Sequence, residues 1–171
     1  MALALGGVAM LRRFFFLLAI LLTAGLQTGA QAQRDRQPPY WASISAGQAR
    51  MRTGPGENYP AVWMYVRRDL PIKVVGTQPN WRRVQDPEGA TGWMLVRLLS
   101  EQRTALVTGN EPRPIYEEPA DTSRVRYRAE PGVVGRISQC SAGWCRLDVS
   151  GRAGFIRTDH IWGVDPGEVV E

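Results

Sequence analysis

The chain has 171 residues, of which 44% are hydrophobic and 22% charged, so its composition excludes a wholly disordered protein. Frequent Gly (18), Pro (12) and Trp (6) favour turns and short strands over long helices. One His and two Cys argue against a zinc site and leave His160 alone for histidine-based catalysis. The formal net charge is +5, and every basic residue except Lys73 is Arg, which raises nucleic-acid binding as a first hypothesis.

Residues 1–32 have the order of a secretory signal peptide. Arg12 and Arg13 precede an almost wholly apolar run over residues 14–26, and Ala30-Gln31-Ala32 supplies the small residues of a cleavage site. The run is shorter than the roughly 20 residues of a membrane-spanning helix. We therefore expect cleavage after Ala32, by the general secretory or the twin-arginine route, and a periplasmic or secreted mature protein without a transmembrane span.

Removal of residues 1–32 lowers the net charge of the chain and weakens the nucleic-acid hypothesis. It takes away two Arg and no acid, which leaves 19 basic and 16 acidic residues and a net charge of +3. Export also separates the protein from most nucleic acid. We therefore expect no nucleic-acid partner.

The remaining chain contains one pattern twice. Trp81-Arg82-Arg83-Val84 is matched by Trp144-Cys145-Arg146-Leu147, and Gly92-Trp93-Met94 is matched by Gly154-Phe155-Ile156. Such self-similarity indicates two copies of one structural unit. The predicted organisation is a lead-in over 33–41, a first unit over 42–100, a linker over 101–104, a second unit over 105–164 and an acidic tail over 165–171.

Each unit is predicted to consist of short strands. Ala49-Arg50-Met51-Arg52 alternates, which places Ala49 and Met51 on one face of a strand and the two Arg on the other. Further strands of the first unit are predicted over 61–66, 72–76, 81–85 and 91–94. Four or five short strands in a unit of this length predict an all-β fold with a small barrel, because closure removes exposed strand edges.

Several motifs of the first unit carry a family resemblance. They are the opening segment Arg52-Thr53-Gly54-Pro55-Gly56-Glu57-Asn58-Tyr59-Pro60, the middle segments over 70–75 and 80–84, and the closing segment Gly89-Ala90-Thr91-Gly92-Trp93. The second unit departs from this pattern at its start, over residues 114–119, and matches again from Pro131. These motifs resemble the bacterial SH3-like domains of exported envelope proteins, and the whole stretch is similar to a tandem, mostly alphaproteobacterial group. The resemblance implies two tandem SH3-like β-barrels.

The two cysteines have a structural interpretation. Cys140 and Cys145 bracket Ser141-Ala142-Gly143-Trp144, and in a hairpin they would face each other within the range of a disulfide bond. An oxidising compartment would preserve that bond. A redox pair usually has Cys-x-x-Cys spacing, and a metal clip would need two further ligands. We therefore favour a structural disulfide over these two alternatives.

Residues suited to catalysis are scarce. His160 lies beside Asp159, and a lone His at a strand end is most often solvated or packed. The loop Gly54-Pro55-Gly56 lacks the Lys and the helix start that a phosphate-binding loop requires. We expect no enzyme, no catalytic residue, no metal and no cofactor.

Aromatic and cationic residues of the first unit are better candidates for a binding site. The alternatives are that Trp81 packs the barrel and that the Arg side chains are simply solvated. Residues 42–100 carry eight basic and four acidic residues, whereas 105–164 carry eight and seven. Arg forks suit carboxylates, and aromatic rings suit peptides and sugars. The candidate groove consists of Tyr59, Trp63, Trp81, Arg50, Arg52 and Arg82.

The function hypothesis follows from these residues and from the resemblance. The leading hypothesis is a non-catalytic envelope binding module that recognises peptidoglycan or a peptide or protein partner, with the first unit binding and the second supporting it. The alternative is an assembly or accessory protein for another envelope protein. A wall hydrolase is disfavoured, because its catalytic domain would need about 100 further residues and a Cys–His pair.

Overall fold

The computed structural model describes residues 36–171, which form short antiparallel strands and two single 3-10 turns. The predicted signal peptide lies outside the described residues. No helix within residues 36–171 has the length and apolar character needed to cross a bilayer. The first group of strands is β1 (Tyr40–Ile44), β2 (Ala49–Arg52), β3 (Ala61–Tyr65), β4 (Pro71–Gln78), β5 (Trp81–Gln85), β6 (Thr91–Leu95) and β7 (Leu99–Ser100). The second is β8 (Thr104–Val107), β9 (Arg113–Tyr116), β10 (Val125–Ala129), β11 (Val134–Ser141), β12 (Trp144–Val149), β13 (Arg152–Arg157) and β14 (Ile161–Trp162).

Both groups of strands have the same topology. The first sheet has the order β3-β2-β6-β5-β4-β1-β7, and the second has β10-β9-β13-β12-β11-β8-β14, so every strand number rises by seven. Each sheet bends around its own core of buried apolar side chains. The prediction of an all-β protein with two tandem small barrels is confirmed.

Both barrels begin earlier than the sequence analysis placed them. Strand β1 starts at Tyr40, inside the predicted lead-in, because Tyr40 pairs with Val74 and the next residue, Trp41, is buried. Strand β8 starts at Thr104, inside the predicted linker, because Thr104 is buried and pairs with Arg136. Buried backbone groups need hydrogen-bond partners, so these residues complete the two sheets.

A repeated glycine has a steric reason in both barrels. A Cβ atom at Gly92 would lie 2.8 Å from the Arg52 carbonyl oxygen, and one at Gly154 would lie 2.7 Å from the Tyr116 carbonyl oxygen. These distances are shorter than real Cβ contacts, so only glycine lets the two strands approach this closely. The alternation predicted for β2 is confirmed, since Ala49 and Met51 are buried beside this contact.

The only lysine of the chain lies where the two barrels meet. Lys73 Nζ is 2.6 Å from Asp165 Oδ1 and 5.0 Å from the centre of the Trp41 ring. The Trp41 ring in turn meets Trp162 edge to face, with ring centroids 4.6 Å apart. The ion pair and the aromatic pair therefore link residues of different barrels, while the cation–π contact joins Lys73 and Trp41 within the first barrel.

The predicted acidic tail is part of the second barrel. Arg103 Nη1 and Nη2 donate to the two Glu168 carboxylate oxygens at 2.6 and 3.1 Å, and Arg103 Nη2 also donates to the Gly163 carbonyl. Further along, Val170 and Cys140 exchange two backbone hydrogen bonds of 2.9 and 3.0 Å. The tail thus adds an isolated bridge to the end of strand β11.

The two cysteines form the predicted disulfide bond. Cys140 on β11 is paired directly with Cys145 on β12, and their Cα atoms are 4.1 Å apart. Ala142 and Gly143 make the turn between them with φ of 48° and 82°. Two positive φ angles are typical of the tight type I′ hairpin turn, which requires glycine or another tolerant residue.

Removal of this disulfide should destabilise the second barrel. Replacing both cysteines by Ser should lower the free energy of unfolding by about 2 kcal/mol, because the closed loop is short. Urea denaturation followed by Trp fluorescence measures this change, and intact mass under non-reducing conditions checks the bond. Two free thiols in the native protein would contradict the assignment.

The Glu168 carboxylate should make stability depend on acid. Burial alone would raise the Glu168 pKa, but hydrogen bonds from Arg103 and from the Asp165 backbone, with the Arg103 charge, lower it overall. A lowered pKa stabilises the fold above the unfolded value of about 4.3, and this stability is lost as the pH falls through the folded value. Glu168→Gln should therefore lower the free energy of unfolding by about 1 kcal/mol at pH 7, and the difference should decrease as the pH falls through the lowered pKa of Glu168.

The matched control is Glu117→Gln. Glu117 pairs with Arg124 at 3.4 Å, but both side chains of this pair are exposed. An exposed pair contributes little, so this variant should be neutral at either pH. An equal loss for Glu168→Gln at pH 7 and pH 3 would show that the charge of Glu168 is not responsible.

Candidate functional site

The outer face of the first barrel carries a groove formed by three neighbouring strands. Side chains alternate across a strand, so β5 directs Trp81 outward and the next residue, Arg82, toward the core. Trp81 stands opposite Leu95 of β6, and Arg52 of β2 stands opposite Trp93 of the same strand. The local alternation of β2, β5 and β6 thus brings aromatic, aliphatic and cationic side chains to one surface.

The groove is an open cavity of about 340 Å³. Trp81 forms its floor and is largely covered by its neighbours. Three Arg and one Glu surround the floor, so the groove has an excess of positive charge. The lining residues are Gln48, Arg50, Arg52, Glu57, Met64, Trp81, Leu95, Arg97 and Leu98.

Within the described part of the chain, the three groove arginines form no ion pair with a carboxylate. None of the ion pairs formed between residues 36 and 171 includes Arg50, Arg52 or Arg97. Arg52 is held in place because its Nη1 donates to the Tyr59 carbonyl oxygen at 2.6 Å. Guanidinium groups next to an aromatic floor are suited to carboxylates, which they bind through paired hydrogen bonds.

Tyr59 supports the groove from the adjacent loop. A Cβ atom at Gly54 would lie 2.6 Å from Tyr59 Cγ, and one at Gly56 would lie 3.1 Å from Tyr59 Cδ2. The ring therefore packs on the backbone of the two glycines, and its carbonyl holds Arg52. Glycine is therefore needed at positions 54 and 56 to leave room for the Tyr59 ring. Tyr59 itself does not line the groove.

Besides Tyr59, two further predicted groove residues lie outside the groove. Trp63 is 62% exposed but pairs with Met51, whose side chain enters the core, so it projects from the opposite side of the sheet to the groove. Arg82 is only 1% exposed, and the prediction that it belongs to a cationic surface is wrong. Its Nε donates to the Tyr40 hydroxyl at 2.9 Å, and its Nη1 donates to the Gln78 and Trp81 carbonyls at 3.0 Å.

Six groove residues were not predicted from the sequence, namely Gln48, Glu57, Met64, Leu95, Arg97 and Leu98. Met64 could have been found from alternation, since it stands opposite Arg50 on the neighbouring strand. Glu57 follows the Gly-Pro-Gly segment in an irregular loop. Arg97 lies in the 3-10 turn Val96–Leu98, where no strand periodicity indicates its direction.

The corresponding surface of the second barrel has different chemistry, because the cavity of about 510 Å³ that Trp144 lines contains no Arg. Trp144, the counterpart of Trp81, packs edge to face against Tyr116 with ring centroids 5.4 Å apart. Arg157 lies 5.7 Å from the Trp144 ring centre and is paired with Asp121 at 2.8 Å and Asp159 at 3.2 Å. The charge of Arg157 is therefore neutralised by two carboxylates of the same barrel.

Other chemical groups do not converge on a reaction site. His160 lies in the 3-10 turn Thr158–His160, where burial lowers its pKa, and its neighbour Asp159 is bonded to Arg157. Asp86 accepts a hydrogen bond from the Tyr65 hydroxyl at 2.7 Å. Burial and this hydrogen bond raise the Tyr65 pKa. Within the described part of the chain, no three His, Cys, Asp or Glu residues are grouped as metal ligands.

Alanine substitutions should show that Arg82 stabilises the fold and that Arg50 does not. Arg82→Ala should lower the free energy of unfolding by about 2–4 kcal/mol, because it leaves buried carbonyls without donors and creates a cavity. Arg50→Ala, at the exposed edge of the groove, should change it by less than about 0.5 kcal/mol. Urea denaturation of both variants measures the difference, and equal effects would contradict the assignment.

Comparison with known proteins places these features in a family. A search of curated protein sequences found no match. Similar solved structures include NlpC1 from Trichomonas vaginalis (14% identity, TM-score 0.33, covering 74% of this chain and 46% of that chain). They also include NlpC2 from the same organism (15% identity, TM-score 0.34, 77% and 52%). A third is an NlpC/P60 family protein from Bacillus cereus ATCC 10987 (13% identity, TM-score 0.33, 72% and 56%).

The present chain spans about half the length of these solved proteins. The family model described as "Bacterial SH3 domain" matches it twice, over residues 45–101 and again over 109–163. Each match covers one of the two barrels, and together they cover more than half of the chain. The chain therefore belongs to the bacterial SH3 domain family and contains two such domains in tandem.

Proposed function

We propose that this protein is a non-catalytic binding module of the cell envelope, and that it binds peptidoglycan through the groove of its first domain. The observation that carries the proposal is the Trp81 floor surrounded by Arg50, Arg52 and Arg97, which have no acidic partner among the described residues. Membership in the bacterial SH3 family supports a binding role, while the groove chemistry supports the choice of ligand.

The groove suits the chemistry of a peptidoglycan peptide. Such peptides carry free carboxylates, which guanidinium groups bind through charge-assisted hydrogen bonds. The Trp81 ring offers an apolar surface for the peptide stem or for a sugar ring. Because the floor is packed and Arg52 is already fixed by the Tyr59 carbonyl, little side-chain ordering is needed on binding.

The second domain supports the first in this proposal. The cavity beside Trp144 contains no Arg, and the nearby Arg157 is paired with Asp121 and Asp159, so this domain offers no comparable cationic groove. Its contributions are the disulfide and the junction with the first domain around Lys73. The signal-peptide pattern of residues 1–32 supports a periplasmic location, where peptidoglycan is present.

Co-sedimentation with purified sacculi tests the proposal. The exported protein, whose start is first defined by N-terminal sequencing, should pellet with sacculi at physiological salt. Arg50→Ala combined with Arg97→Ala should weaken binding at least about tenfold, because two charge-assisted contacts are lost. The fraction bound, measured over a range of sacculus concentrations, gives the affinity.

A charge-matched variant provides the control. Arg128 and Arg152 are exposed on the second domain and lie outside the groove, so Arg128→Ala combined with Arg152→Ala should retain binding. An equal loss in both double variants would show that binding depends on net charge only. No pelleting of the wild-type protein would refute the proposal.

A second candidate function is an accessory role toward another envelope protein. The specific observation that favours it is a cluster of exposed apolar side chains on and beside strand β3. This surface adjoins the groove at Met64, and its apolar character calls for a ligand of different chemistry.

A further inference from the structure

Strand β3 is an unprotected edge of the first sheet. It stands at the end of the strand order and pairs only with β2. Four of its five residues are exposed. An exposed strand edge with apolar side chains can pair with another chain, and proteins normally protect such edges. The exposed large apolar residues in and beside β3 are Tyr59, Val62, Trp63, Met64 and Val66.

The second domain shows how the same edge is protected. Strand β10 occupies the equivalent end of the second sheet and pairs only with β9. The sequence places Arg126 and Arg128 where β3 has Val62 and Met64. Arg126 also donates to the Ala153 carbonyl at 3.0 Å, and the Tyr127 hydroxyl donates to the Arg152 carbonyl. The barrel therefore tolerates a charged strand at this place, and the apolar surface of β3 is not required by the fold.

The charge around β3 indicates what would pair with it. Arg50 stands opposite Met64 on the neighbouring strand, and the exposed Arg67 and Arg68 follow the strand directly. A second copy of the domain would bring its own excess of positive charge, +4 over residues 42–100, against this surface. Like charges oppose such pairing, so an acidic partner is favoured over a second copy.

Alternation along β3 specifies the partner further. Met64 lies on the groove side with Arg50, whereas Trp63 projects from the other side. A strand added beside β3 would therefore place one set of alternate side chains near the arginines and the other near Trp63. Carboxylates suit the first set and apolar side chains suit the second.

We propose that strand β3 binds an extended segment of a partner protein, with alternating acidic and apolar residues, as an additional strand of the first sheet. The added backbone hydrogen bonds supply affinity, and the two alternating surfaces supply specificity. This site takes a protein ligand at a strand edge; it shares Arg50 and Met64 with the groove, whereas Val62 and Trp63 belong to the edge alone.

Labelled synthetic peptides test the proposal. The probe is a short capped peptide in which Val and Glu alternate, and its control has Lys in place of Glu. Fluorescence anisotropy at physiological salt should show saturable binding of the Glu peptide and at least about tenfold weaker binding of the Lys peptide. Amide hydrogen exchange over residues 61–65 should slow when the Glu peptide is bound, because pairing protects outward-facing amides.

Variants of β3 provide the matched test. Val62→Glu places a carboxylate on the face of β3 that carries Met64, where it repels the Glu peptide, and Trp63→Tyr introduces the residue that β10 carries at this position; both positions are exposed, so the barrel should still fold. This double variant should bind the Glu peptide at least about tenfold more weakly. Val125→Arg, on the edge of the second domain, should bind the peptide as the wild type does.

Three results would overturn the proposal. They are the absence of binding, equal affinity for the Glu and Lys peptides, and a concentration-dependent dimer that the β3 double variant abolishes. The last would identify a second copy as the occupant. Sacculus binding is measured on the same double variant, whose changed residues do not line the groove. Loss of peptide binding with retained sacculus binding would support a separate site, whereas failure of the wild type to bind sacculi would affect only the groove.

Discussion

One residue position stabilises the same hairpin in both barrels, β4–β5 in the first and β11–β12 in the second. The interaction that it makes differs between the two barrels. In the first barrel Arg82, directly after Trp81, is buried and donates to the Tyr40 hydroxyl and to carbonyls of its own hairpin. In the second barrel Cys145, directly after Trp144, is buried and bonded to Cys140. A small barrel buries a limited core, so an additional constraint of this kind contributes much of its stability.

The Arg82 hydrogen bonds and the Cys140–Cys145 disulfide each involve, or lie next to, a terminal segment of the two-barrel region. Tyr40 belongs to the first strand, and Val170, near the end of the tail, pairs with Cys140. The outward neighbours Trp81 and Trp144 are fixed as a consequence, because adjacent residues on a strand point to opposite sides. The hydrogen bonds of Arg82 inside the barrel therefore position the groove floor on the outside. A binding surface that is ordered before the ligand arrives avoids part of the entropic cost of association.

The sequence allowed prediction wherever a local pattern decided the outcome. Repeated motifs gave the two barrels, alternation in β2 placed Arg50 outside, and the hairpin spacing paired the cysteines. The prediction that Arg82 is exposed was wrong because arginine is normally found on the surface. The alternation along β5, which places Arg82 on the same side as the buried Val84, indicates the correct orientation. The Lys73–Asp165 contact joins residues 92 positions apart, so no local pattern indicates it.

Divergence between two copies of one fold separates structural from functional residues. Both barrels keep the glycine at the strand crossing, the buried apolar core and the outward Trp, so these residues serve the fold. They differ in the charge beside that Trp and in the polarity of the edge strand. In the second barrel Arg157 is neutralised by carboxylates, and β10 carries arginines. In the first barrel the groove arginines lack acidic partners among the described residues, and β3 is apolar and exposed. The fold requires neither property, and these two differences are the observations on which both proposed binding sites of the first domain rest.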